Sequence, residues 1–87
     1  MTTNSKTGST IDLIVAKRLK KARCDIGLTQ TDLAKKLGVT FQQVQKYENG
    51  KNRISAGKLF IAAHALGCGL DSLYYGAAAA ARREGTI

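Results

Sequence analysis

Three observations predict an all-α fold of five short helices. The 87 residues contain no proline, apolar residues recur at three- and four-residue steps, and Gly27, Gly38, Gly50, Gly67 and Gly76 cut the chain into helix-sized pieces. Glycine adopts the left-handed backbone just past a helix at little cost, so it acts as a stop. A chain of 87 residues is one domain near the lower size limit for an unstapled apolar core, which argues against a large catalytic cavity.

The first helix is expected from about Ile11 to Ile26, with Ile11, Val15, Leu19, Ala22 and Ile26 on one stripe. Lys17, Lys20, Lys21 and Asp25 occupy its other faces, and Cys24 lies about half a turn from Val15, away from the core. The polar residues 1–10, MTTNSKTGST, are expected to form a disordered arm.

Thr29 opens the second helix, TQTDLAKKL. Its hydroxyl can accept from an orphan backbone N–H, and Asp32 sits in the positive first turn. Leu33, Ala34 and Leu37 face inward and Gly38 stops the helix. Two residues later Thr40 starts the third, with a Thr40-x-x-Gln43 capping box and a Val39–Val44 hydrophobic staple. Val44 and Tyr47 share a face and leave Gln42, Gln45 and Lys46 to point elsewhere; Phe41 stands at the helix start, outside the staple.

Ile54 and Leu59 repeat the staple around Ser55, the cap of a fourth helix that ends near Leu66 and turns Leu59, Ala62, Ala63 and Leu66 inward. A short fifth helix is expected from Leu70 to Tyr75. The domain thus covers residues 11–76, and residues 77–87 form an Ala-rich tail, a flexible or helical extension whose helix formers, Ala77 to Arg83, are expected to be frayed or partner-dependent because isolated short helices are marginal. Two helices joined by a tight glycine-containing turn have the signature of a helix-turn-helix made by helices two and three.

Fourteen Lys and Arg against six acidic residues give a net charge of +8, which suggests a polyanionic partner, nucleic acid before an acidic membrane surface. Between Leu33 and Leu70 the only carboxylate is Glu48, set among Lys35, Lys36, Lys46, Lys51, Arg53 and Lys58. No apolar run reaches the ~20 residues of a membrane span. With no signal peptide and no dense cysteine pattern, Cys24 and Cys68 are expected as reduced thiols in a cytoplasm. Cys24, Cys68 and His64 make no constellation at metal or nucleophile spacing, and there is no carboxylate pair or glycine-rich phosphate loop. Neither catalysis, a metal nor a cofactor is expected.

The segments RLKKAR, GLTQTDLAKKLGVT, QKYENGKNRIS and ALGCGLDSL, in this order between Ile11 and Tyr75, resemble the Cro and phage-repressor-like helix-turn-helix regulators, also called the xenobiotic response element family. TFQQVQKYENG and the following NRI look especially like one bacterial subfamily. The resemblance implies a five-helix lambda-repressor-like domain. It further implies a bacterial, nucleoid-associated transcriptional regulator, a repressor, that binds double-stranded DNA as a homodimer on a palindromic operator. The third helix, Phe41 to Asn49, would lie in the major groove. Phe41, Gln42 and Lys46 match positions that reach base edges, with Gln45 as a further contact. Gln30 matches a glutamine that binds phosphate and buttresses the recognition helix. Asn49, Lys51 and Arg53 match the backbone-contacting segment, and Thr40 stands with them at the helix start. For Gln43 two readings stay open, a base contact like the other glutamines, or a cap or phosphate contact. Arg23 and Glu48 match an inward salt bridge between helix one and the end of helix three.

Three positions depart from the family. Phe60 and Ile61 stand where polar residues are usual, and Ala62 where a larger aliphatic is common. Either the core is filled from a different angle, or Phe60 and Ile61 join Leu73, Tyr74 and Tyr75 in a dimer interface. The alternative function is an antitoxin or adaptor that uses the same fold to grip a protein partner, in part through the C-terminal tail.

Overall fold

The structure, a computed structural model, describes residues 3–87, with side chains from residue 9 onward. Among the described residues it is all-helical: α1 (Thr3–Asp25), α2 (Gln30–Leu37), α3 (Phe41–Glu48), α4 (Ala56–Leu66), a 3-10 turn (Leu70–Tyr74) and α5 (Ala77–Arg83). No helix of the described residues is long and apolar enough to cross a membrane.

Helix α1 begins at Thr3, ahead of the expected Ile11, so the backbone of residues 3–10 is helical where a disordered arm was expected; residues 1 and 2 of that arm lie outside the described residues. Once a helix is nucleated, each added residue gains a hydrogen bond without a new nucleus. The Thr10 hydroxyl donates to Glu84 Oε2 at 3.0 Å and ties this end of α1 to the tail. Along the expected stripe Val15 and Leu19 are buried and Ile11 and Ala22 half-buried, but Ile26 is 54% exposed. The helix stops at Asp25, and the Gly27 and Leu28 amides close onto the Cys24 and Arg23 carbonyls. That turn swings Leu28 onto the core in place of Ile26.

The link between α2 and α3 follows the cap chemistry. Thr29 Oγ1 accepts from the Asp32 N–H at 3.0 Å, and the Thr29 N–H donates to Asp32 Oδ2 at 3.1 Å, a complete capping box. Gly38 sits at φ +69°, which a Cβ would strain, and the Val39 N–H returns to the Ala34 carbonyl. At Thr40 the hydroxyl accepts from the Gln43 N–H at 3.1 Å, one arm of the expected box. Lys58 reaches across from α4 and donates from Nζ to the Leu37 carbonyl at 3.2 Å, which satisfies the C-terminal end of α2.

Two connected clusters form the core. Leu19, Leu33, Leu37, Val44, Tyr47 and Leu66 seat α2 and α3 on α1 and α4, with both staple valines in place. Val15, Leu59, Ala63 and Leu73 seat the 3-10 turn. Leu73 is only 1% exposed, so it serves this core and drops out of the candidate interface. Ala62 is fully buried while Phe60 and Ile61 are 65% and 45% exposed, which excludes the reading that those two fill the core.

Of the two forms expected for the tail, flexible or a helical extension, the structure has the second. The tail forms α5 packed along α1, with Ala80 and Ala81 buried. Alanine has the highest helix propensity and no side chain beyond Cβ, so a helix of alanines can lie close against a neighbour where larger residues would not fit.

Candidate nucleic-acid interface

Outward-facing residues of α3 define the site. Val44, Tyr47 and Glu48 are buried, which leaves Gln42, Gln45, Lys46 and Asn49 exposed at the i, i+3, i+4, i+7 spacing of one helical stripe. Phe41 is partly exposed at the edge of this stripe, beside a shallow hollow formed with Thr29, Gln30 and Cys24. Gln43 is half-buried with its amide N–H in the Thr40 cap.

A buried ionic knot holds that stripe in place. Arg23 Nε donates to Glu48 Oε2 at 2.7 Å and Nη2 to Glu48 Oε1 at 3.0 Å, a two-pronged pair between α1 and the last turn of α3. The remaining Nη1 donates to the Leu28 carbonyl at 2.8 Å. Gln30 Nε2 donates to Glu48 Oε1 at 3.0 Å and so joins the start of α2 to the end of α3. Hydrogen bonding to Glu48 holds the Arg23 guanidinium above its ordinary value, against the opposing effect of burial. The expected salt bridge and the expected buttress are thus one network, and the single carboxylate of the basic segment lies inside it.

The loop after α3 is preset in a different way. Asn49 Oδ1 accepts from the Lys51 N–H at 3.0 Å and the Asn52 N–H donates to the Lys46 carbonyl at 3.2 Å, leaving the Asn49 amide group and the exposed Lys51 ammonium facing outward. Arg53 is paired with Asp12 at 2.9 Å. Both partners are substantially exposed, and such surface pairs contribute only ~0–1 kcal/mol, so a phosphate can readily displace Asp12.

Sequence reasoning missed one cation. Lys20 lies on α1 three residues before Arg23, and with Gln30, Gln45, Glu48 and Asn49 it lines a polar hollow of about 290 Å³. The signal was available: a helical step of three puts Lys20 on the side of α1 that Arg23 turns toward α3.

Asp32 gives the region a pH dependence. Its carboxyl is held below the ordinary aspartate range by the Thr29 backbone N–H, then by the Thr29 hydroxyl, with smaller help from Lys35 and Lys36. A depressed folded value means the stabilisation is complete above the unfolded value of ~3.9 and disappears as pH falls through the folded value. Urea unfolding of Asp32→Asn beside the unmodified protein should show the variant less stable at pH 6, with the difference shrinking toward zero in strong acid. A difference that stays constant across that range would mean the carboxylate does not act through its charge.

This geometry agrees with the comparisons to known proteins. A helix-turn-helix family model matches residues 19–73, more than half of the chain. The chain belongs to the helix-turn-helix family, of the Cro and phage-repressor type. It is 44% identical over 64 residues to an uncharacterized transcriptional regulator in the ATPase CF(0) region of Rhodospirillum rubrum, covering 74% of this chain and 59% of that one. It is also 44% identical over 59 residues to an uncharacterized helix-turn-helix-type transcriptional regulator of Sinorhizobium medicae, covering 68% of this chain and 42% of that one. The chain therefore matches less than two thirds of the length of either relative. Among solved structures, the clp gene regulator ClgR from C. glutamicum superposes with a TM-score of 0.72 at 26% identity, over 79% of this chain and 90% of that one.

Proposed function

We propose that the chain is a sequence-specific, double-stranded-DNA-binding transcriptional regulator, acting as a repressor in a bacterial cytoplasm. The observation that carries this reading is the exposed stripe Gln42, Gln45, Lys46 and Asn49, fixed on a short helix by the Arg23–Glu48–Gln30 knot. A glutamine amide offers a donor and an acceptor in one plane, matching N6 and N7 of adenine; lysine donates to O6 and N7 of guanine; the Phe41 ring can touch a thymine methyl. Lys20, Gln30, Thr40, Gln43, Lys51 and Arg53 surround the stripe and, with Asn49 at its end, supply phosphate contacts that set register without reading sequence.

One eight-residue helix reads too few bases for genomic specificity. In this reading two copies bind a palindrome with half-sites ~34 Å apart, joined through exposed Phe60, Ile61 and Tyr74, while Tyr75 lies under Arg18 of α1. Selection from a random duplex pool, followed by mass measurement of the complex, should return an inverted repeat bound by two chains. Log affinity should fall linearly with log salt, with a slope of ~0.9 for each phosphate neutralised. A pool that yields no enriched motif at moderate salt would overturn sequence-specific regulation.

The exposed Phe60 and Ile61 also favour a second reading, an antitoxin or adaptor that grips another protein. A protein that co-purifies at fixed stoichiometry and is lost on Phe60→Ser would support it.

A further inference from the structure

We propose that the side of the domain formed by α1 and α5 is a docking groove for an acidic amphipathic helix of a partner protein. It does not rest on the DNA reading, since none of its residues lies on α2 or α3. At ~100° per residue, Ile14, Lys17, Arg18 and Lys21 point roughly 120–220° away from Arg23 around α1. They therefore face away from the side that grips Glu48 and the recognition helix.

Two hollows follow one another along this face. The first, of about 450 Å³, is lined by apolar Ile14, Ala79 and Tyr75 together with Lys17, Lys21 and Arg83. Arg18 lies over the Tyr75 ring, 4.7 Å from its centre, and holds the orientation of a side chain that remains 70% exposed. The second hollow, of about 300 Å³, shares Arg18 and Lys21 and takes its apolar wall from Ile26, Leu66 and Leu73. Its α1 lining, Arg18, Lys21, Ala22 and Asp25, is that of the first hollow moved on by four residues. The hollows are thus offset by about one turn, ~5.4 Å. Apolar side chains at i and i+4 of a partner helix, ~5–6 Å apart, match that offset.

Charge selects the rest of the partner. Lys17, Arg18, Lys21 and Arg83 surround the hollows, and Asp25, the carboxylate that lines the second, is already paired with Lys21 at 3.1 Å. An acidic helix complements this surplus. Duplex nucleic acid would meet the charge, but its phosphates are what basic side chains engage, and its thymine methyls lie inside the major groove, out of reach of these hollows. Ile26, left exposed where α1 ends, stands in the wall of the second hollow.

The test uses the full chain and a fluorescein-labelled fourteen-residue helical peptide, with leucines at i and i+4 on one face and glutamates elsewhere, read by anisotropy near physiological salt. Saturable binding is expected, weakened at least about tenfold by Lys17→Glu with Arg83→Glu, since two opposite-charge contacts become repulsive. Binding should weaken comparably when the peptide leucines become serines, and remain unchanged in Lys46→Ala. Both reversed residues are exposed, so an unchanged melting midpoint identifies the loss as one of binding. Tyr75→Ala tests the apolar lining without changing charge and should also weaken the peptide. Equal binding by the reversal variant, or by the serine peptide, overturns the proposal. A loss of duplex-DNA affinity in Tyr75→Ala, which changes no charge, also overturns it and assigns the face to nucleic acid.

Discussion

Glu48→Ala destabilises the domain by about 3–5 kcal/mol, the usual cost of removing one member of a buried ion pair. The residue left behind makes the loss severe. Arg23 is 8% exposed and two of its three hydrogen bonds end on Glu48, so the variant strands a guanidinium with the Leu28 carbonyl as its one remaining acceptor among those bonds. A lysine in that place would escape by losing its proton, but a guanidinium stays charged throughout the working pH range. The Gln30 amide loses its partner in the same step. A domain of this size is held by only ~5–15 kcal/mol in total. At roughly 4–8 °C per kcal/mol, the melting midpoint falls by at least about 12 °C. Replacing both charges, Arg23→Met with Glu48→Leu, should recover much of the loss, because no uncompensated charge remains. Urea unfolding of the three proteins checks this. A single-variant loss below about 1 kcal/mol would show that water reaches the pair and that it behaves like a surface bridge.

The same knot shows what can be read from a sequence and what cannot. The caps at Thr29, Thr40 and Ser55, the stop at Gly38 and the Val39–Val44 staple are local chemistry, decided by residues three to five apart, and each stands where the pattern put it. The Arg23–Glu48 pair joins residues 25 apart, and only the family resemblance brought them together. Lys20 was missed because its neighbours Gln30, Gln45 and Asn49 come from two other helices. Ile26 was misplaced because a stripe carried on at helical spacing ignores where the helix ends; the Gly27 turn substitutes Leu28. The alanine tail carried no hydrophobic periodicity to read, since alanine fits a helix interface and an exposed helix equally well, and only its packing on α1 distinguishes them.

The second large effect lies on the outward stripe. Gln42→Ala and Lys46→Ala should each lower affinity for the selected duplex while leaving affinity for unrelated duplex nearly unchanged. A good bidentate base contact discriminates by ~1–3 kcal/mol, which is roughly 5- to 150-fold, and a dimer makes each contact twice. Lys51→Ala should instead weaken all sequences alike and reduce the salt slope by ~0.9 for each copy bound, because an ammonium on a phosphate carries no sequence information. The two classes separate structurally: Gln42 and Lys46 stand on a helix anchored through Tyr47 and Glu48, whereas Lys51 follows the Asn49 turn in an exposed loop. Gln30→Ala gives a third, mixed outcome, since its amide reaches Glu48 and its position opens α2. It should cost both stability and affinity, with the affinity loss shared by specific and unrelated duplexes. Competition binding at two salt concentrations, with melting midpoints measured alongside, distinguishes the three. If Gln42→Ala and Lys51→Ala had the same profile, α3 would be touching the backbone and sequence would be read elsewhere on the domain.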